Sequence, residues 1–143
     1  MAEKECIRRT SDPIIPLKDA GLRATFENKS RKKYTIYDVD GCLIKNSTAA
    51  DFAIESAANK MVIVEFKGRH VEHAIHQVSE TIKYFVESRG FQGRFASVIV
   101  SRQVPIGAAT LNRHKLAFRK KHAGAPLIIS SSKRCFCLDE LAA

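Results

Sequence analysis

The chain has no tryptophan, only two methionines and four prolines, and four cysteines among 143 residues. The cysteines, at positions 6, 42, 135 and 137, form no Cys-x-x-Cys pair, so the common zinc-binding and dithiol spacings are excluded. Reduced, structural cysteines in a cytoplasmic or nucleoid-associated protein are the expectation. No apolar run approaches the roughly 20 residues of a membrane-spanning helix, and no signal-peptide pattern opens the chain. No membrane association is expected. Acid is scarce as well. Asp and Glu number 15 against 24 Lys and Arg, a net charge of +9, so polyanions are the expected partners.

What is present belongs to a folded domain. Hydrophobic residues make up 45% of the chain, and the length suffices for one domain with a core. Residues 1–16, with Pro13 and Pro16, read as an irregular N-terminal arm. Residues 17–134 read as a single domain, and 135–143 as a short C-terminal tail. Within the domain, 17–28 reads as a helix weakened by Gly21. Strands are expected over 34–44, 51–56, 61–66, 95–101 and 127–129. Helices are expected over 70–90 and 108–122. The 70–90 helix carries Val71, Ala74, Ile75, Val78, Ile82, Phe85 and Val86 on one stripe. This order gives an α/β fold with a mixed β-sheet: an antiparallel three-strand meander, then a crossover strand, flanked by helices.

One stretch carries the chemistry. The 61–66 strand is apolar and β-branched but ends in Glu65 and Lys67, which share a face because side chains two apart on a strand point the same way. A turn centred near Ala58 sets Asp51 across from Glu65, with side chains about 5 Å apart. An odd-numbered loop or a bulge is needed for the two to share a face. Two facing carboxylates repel, and each takes up a proton unless a cation intervenes. Hard oxygen ligands of this kind suit Mg²⁺ or Mn²⁺. A lone Glu-x-Lys can equally be a solvated strand end.

An Asp, a hairpin, Glu-x-Lys at the end of a core strand and then a helix resembles the PD-(D/E)xK nuclease superfamily, whose fold is called restriction-endonuclease-like. The resemblance covers roughly residues 34 to 104. It departs from the pattern before Asp51, which follows Ala50 where the family often has proline. The resemblance implies a Mg²⁺- or Mn²⁺-dependent nuclease acting on nucleic acid, DNA first, as a homodimer or with a partner protein. It implies metal ligation by Asp51, Glu65 and the Phe66 backbone carbonyl, with Lys67 and Gln77 completing the catalytic set. Glu27 is a candidate accessory carboxylate. Lys29, Arg31, Lys32, Lys33, Arg69, Arg113 and Lys115 are candidate nucleic-acid contacts.

Two alternatives stay open. Asp38-Val-Asp40-Gly resembles the first motif of haloacid-dehalogenase-type phosphatases, with Asp38 as nucleophile and Asp40 as acid, although Cys42 stands in place of the family's threonine. Pairing of the first two strands through residues 45–49 would set Asp40 opposite Ile54, roughly 10 Å from Asp51. The other alternative is a non-catalytic nucleic-acid-binding relative of the nuclease fold.

Overall fold

The computed structural model describes residues 3–67, 69–103, 107–131 and 133–142. A short 3₁₀ turn over Glu3–Cys6 leads into β1 (Ile7–Thr10), β2 (Ile14–Asp19), β3 (Leu22–Glu27), β4 (Tyr34–Asp38), β5 (Phe52–Ser56) and β6 (Lys60–Lys67). There follow α1 (Val71–Glu87), β7 (Arg94–Ser101), α2 (Ala108–Lys121), β8 (Leu127–Ser130), β9 (Cys135–Cys137) and α3 (Leu138–Leu141). Six strands form one mixed sheet in the order β1-β4-β5-β6-β7-β8, and β2-β3-β9 form a second, smaller sheet.

The meander and crossover are as expected. Strands β4, β5 and β6 pair antiparallel in sequence, and α1 returns the chain to β7, parallel to β6. A second crossover through α2 adds β8, also parallel. The β5–β6 loop spans residues 57–59, an odd number. Asn59 sits at φ 62°, the left-handed position that closes such three-residue hairpins. Strand β6 can be apolar for most of its length because both faces are covered. Met61 and Ile63 face α1 and α2, with Val78, Ile82, Phe85 and Phe118. Val62, Val64 and Phe66 face the small sheet, with Leu17, Phe26 and Phe136.

The layer opposite α1 and α2 is where sequence and structure part. Residues 1–16 are not an irregular arm. Ile7–Thr10 pair with β4 along the edge of the large sheet, and Ile14 opens β2. Residues 17–28 form no helix but belong to a β-hairpin, β2–β3, with six cross-strand pairs from Ile14↔Glu27 to Asp19↔Leu22. Leu22 and Phe26, four apart, fit helical spacing. Ala24 between them is buried too, which is a two-residue period. Ala20 and Gly21, both at positive φ, make the tight turn. The tail is not free either. Strand β9 pairs parallel with β3, and Phe136 stacks on Phe26 at 5.4 Å. The large sheet is thus covered by helices on one face and by a three-stranded sheet with the short α3 on the other, instead of by helices on both.

Cys6 and Cys42 are joined by a disulfide, contrary to the expectation of reduced cysteines. The edge pairing of β1 with β4 sets Ile7 opposite Tyr37, and the chain after β4 folds back through a Cys42 N–H bond to Val39 O. This brings together two cysteines 36 residues apart. Cys135 and Cys137 carry free thiols. Among the described residues, no helix is long and apolar enough to cross a membrane.

Candidate active site

Four strands end together at one edge of the large sheet, and the candidate residues collect there. The β5–β6 register runs from Ser56↔Lys60 to Phe52↔Val64. Continued by one residue, it sets Asp51 opposite Glu65, as the sequence implied. Glu65 lies on the helix-facing side, in line with Ile63, and Asp51, just before β5, stands at the sheet end with its carboxyl also in reach of Asp19 of the β2–β3 hairpin. The contacts interlock the pair. The Asp51 N–H donates to Glu65 Oε1 at 3.1 Å, and the Phe66 N–H donates to Asp51 Oδ2 at 2.8 Å. N–H and C=O of one strand residue point to the same side, so the Phe66 carbonyl also faces Asp51. Lys67 Nζ stands 3.8 Å from Glu65 Oε2 and is the half-buried member of the trio, the one that water reaches.

Burial is the decisive feature of the pair. Glu65 is 1% exposed and Asp51 7%. Desolvation drives the proton affinity of both carboxyls up from their ordinary values of 3.8 and 4.5. For Asp51, hydrogen bonds that its protonated carboxyl donates to the side chains of Asp19 and Glu65 push in the same direction, as does repulsion by Glu65, and the Phe66 N–H opposes them. For Glu65, Asp51 and the Lys67 ammonium pull the other way, while Asp40 adds repulsion. Without a cation, the pair is built to hold a proton.

Gln77 comes to the same place. From the second turn of α1 its Nε2 donates to Ala49 O at 3.1 Å, two residues before Asp51. Its Oε1 is buried and has no hydrogen-bond partner among the described residues. Thr81, one turn further on, holds the same strand entry. Its hydroxyl accepts from Ala50 N–H at 2.7 Å and donates to Gln77 O at 2.8 Å. Thr81 lies on the line that contains Gln77, but nothing in the sequence marks it as a clamp on the approach to Asp51.

Asp19 was equally illegible, because its segment reads as helix. It sits at the tip of the β2–β3 hairpin, which Arg102 anchors by donating to Ala20 O at 3.1 Å. Glu27 lies at the other end of the same hairpin, paired in register with Ile14, and accepts from the Cys135 thiol at 3.4 Å. Asp19, not Glu27, is therefore the hairpin carboxylate beside the pair.

The β4–β5 register differs from expectation. It sets Asp38, not Asp40, near the end of the pairing, opposite Phe52, with Ile36 opposite Ile54. The reason is that β4 stops at Asp38 and the chain turns through Gly41 at φ 76°, bridging Asp40 to Ile44. Asp40 thus lies close enough to repel Glu65. Asp38 is exposed, on the face opposite Tyr37, and β4 is antiparallel to both its neighbours.

The basic candidates divide. Arg69 is exposed directly after β6, at the site end. Arg113 and Lys115 sit in the middle of α2, whose His114 lies 3.5 Å from Glu72 in the first turn of α1. Lys29, Arg31, Lys32 and Lys33 occupy the β3–β4 loop, at the start of β4 and so at the opposite end of the sheet. The structure does not bring that run to Asp51 and Glu65.

Among the described residues, no three His, Cys, Asp or Glu side chains are gathered in the arrangement of a formed metal site. The donor set at the pair is two carboxylates and a main-chain carbonyl. Neither the family models nor the curated proteins nor the solved structures with which the chain was compared give a match.

Proposed function

We propose that the chain is a metal-dependent nuclease of the PD-(D/E)xK type, with a restriction-endonuclease-like core formed by β4 to β7 and α1. The observation that carries this reading is the buried Asp51–Glu65 pair with Lys67 on the same face at the end of a central strand. Burying two carboxyls against each other costs stability, and nothing in the surrounding packing requires either. A divalent cation would offset that cost.

The donors fit such an ion. Asp51, Glu65 and the Phe66 carbonyl are hard oxygens, as Mg²⁺ and Mn²⁺ prefer. When bound, the ion supplies Lewis-acid polarisation of a phosphodiester and a more acidic water. The chain's own residues do the rest. Lys67, half-buried beside Glu65, orients the attacking water and stabilises charge that grows on the phosphate. Gln77 keeps an unpartnered buried acceptor for a water at the site. Thr81 fixes the strand entry that aims Asp51. Arg69, together with Arg113 and Lys115 on α2, supplies positive charge on the approach, where phosphates are attracted without regard to sequence.

The test is incubation of the full chain with supercoiled plasmid, single strands and RNA, in Mg²⁺ or Mn²⁺ and in chelator. Metal-dependent cleavage of DNA is the expected result. A chain that binds DNA but cuts none of these substrates in either metal would be the non-catalytic relative instead.

A further inference from the structure

The β2–β3 hairpin carries a charge arrangement that the fold does not use. Leu17, Leu22, Ala24 and Phe26 pack inward, so the residues that alternate with them point out to solvent. Lys18 and Arg23 are among these, and they are direct cross-strand partners, both exposed. Like charges set opposite each other weaken a β-pair. Among the described residues neither is in an ion pair. The hairpin therefore bears this repulsion with no return inside the chain.

The like-charged pair stands at the site end. The turn between Lys18 and Arg23 holds Asp19, whose side chain hydrogen-bonds Asp51. Arg102 donates to Ala20 O at 3.1 Å, and its guanidinium lies so close to Gly21 that a β-carbon there would stand 2.7 Å away. Arg102 directly follows Ser101, the register partner of Lys67. Ser101 O in turn accepts from Arg134 at 3.2 Å, and Arg134 O accepts from the Thr25 N–H at 2.8 Å. These main-chain carbonyls fix Arg102 and Arg134 without neutralising them, and each guanidinium keeps further N–H donors. A row of positive charge thus leads from Lys67 across the ends of β7 and β3 to Lys18. The opposite flank is acidic. Asp38, exposed at the end of β4, and Asp40 after it lie there. A polyanion is repelled on the β4 flank and attracted on the β7 flank.

We propose that the outer face of the β2–β3 hairpin, with Arg102 and Arg134, is a docking surface for the phosphate backbone of a DNA duplex, which it leads toward Lys67. This rests on the nuclease reading for what becomes of the bound strand, and not for the binding itself. Arginine offers a planar fork that matches phosphate oxygens, and lysine adds a mobile point charge. With Arg69, Arg113 and Lys115 on the helix side, the carboxylate pair lies between two basic walls. Contacts of this kind set the position of the duplex and do not read its sequence.

Fluorescence anisotropy of the full chain with a labelled DNA duplex, in chelator and across a salt series, tests this without cleavage. The parent should bind, with affinity falling as salt rises. Lys18→Gln combined with Arg23→Gln should weaken binding at least about tenfold at low salt and lower the salt slope by about 2, roughly one for each lost phosphate contact. The melting temperature of that double variant should be no lower than the parent's, because the change removes a like-charge pair. Lys33→Gln, at the opposite end of the sheet, should keep the affinity within about twofold. The proposal is overturned if the parent does not bind the duplex, or if the double variant binds with the parent's affinity and slope. It is also overturned if Lys33→Gln loses as much, or if the double variant melts lower, which would make the pair structural. A parent that binds through this surface yet cuts nothing in Mn²⁺ would sink the nuclease reading and leave the docking surface standing.

Discussion

Strand β6 begins beside a cluster of cations and ends in a pair of carboxylates, and the two ends treat charge in opposite ways. At its start, half-buried Lys60 and exposed Arg94 are register partners at the rim of an open cavity. At its end, Glu65 and Asp51 are enclosed and pressed together. Screened like charges cost a fold little, but enclosed ones cost a great deal. The enclosed carboxylates need an account, and the one we propose, metal binding for phosphodiester hydrolysis, uses both of them and Lys67.

The largest expected effect comes from removing the cationic partner at the acidic end. Lys67→Ala should reduce cleavage by about 10²–10³-fold, the scale of one lost transition-state donor. Its DNA affinity should change little, since one phosphate contact among many is lost. Single-turnover cleavage beside a filter-binding isotherm checks both. Cleavage at the parent rate would detach Lys67 from the chemistry.

A second change breaks the strand entry without touching a carboxylate. Thr81→Val keeps the shape but leaves the Ala50 N–H buried with no acceptor, at a cost of about 1–3 kcal/mol. Chemical denaturation should read that loss. Cleavage should fall as well, because Ala50 leads directly into Asp51.

The third prediction concerns pH. Both buried carboxyls bind protons more tightly in the folded chain than their ordinary values of 3.8 and 4.5 allow. Protonation therefore favours the fold. That stabilisation is complete below about pH 4 and is lost as pH rises through the raised folded values. In chelator the melting temperature should fall as pH rises from about 5 past neutrality. Glu65→Gln, which cannot ionise, should flatten the decline. An unchanged slope in that variant would show that the pair does not carry the titration.

The smallest effect is expected at the β3–β4 loop. Ala substitutions at Lys32 and Lys33 should alter cleavage less than about twofold, since that loop is far from the pair and screened. Arg69→Ala, at the site end, should weaken substrate binding more. The reverse order would relocate the nucleic-acid track to the other end of the sheet.

The half of the fold that holds the site was legible, and the half that covers it was not. Met61–Val64 is so uniformly apolar, and the 70–90 stripe so regular, that pattern alone identifies β6 and α1. The 57–59 loop then fixes the Asp51–Glu65 register. Local signals failed where partners are remote. The spacing of Leu22 and Phe26 suits either a helix or a strand, and pairing decides for a strand, with Ile14–Asp19 on one side and Cys135–Cys137, more than a hundred residues later, on the other. Asp19 was hidden for that reason. Cys6 and Cys42 were hidden because β1 reaches them through an edge pairing that four residues, Ile-Arg-Arg-Thr, do not announce. Gly41, read as a bend, does bend the chain, but earlier than the expected pairing allowed, and this brings Asp40 toward Glu65.

The central claim is that Asp51 and Glu65 are enclosed together in order to share a divalent cation. Thermal unfolding at pH 8, with and without millimolar Mn²⁺, tests it most directly, in the parent, Asp51→Asn and Glu65→Gln. A ligand that binds only the folded chain raises its melting temperature by mass action. The account predicts a clear upward shift for the parent and little or none for either variant, with both variants at least as stable as the parent in chelator. A parent that does not respond to Mn²⁺, or variants that respond as strongly as the parent, would contradict it.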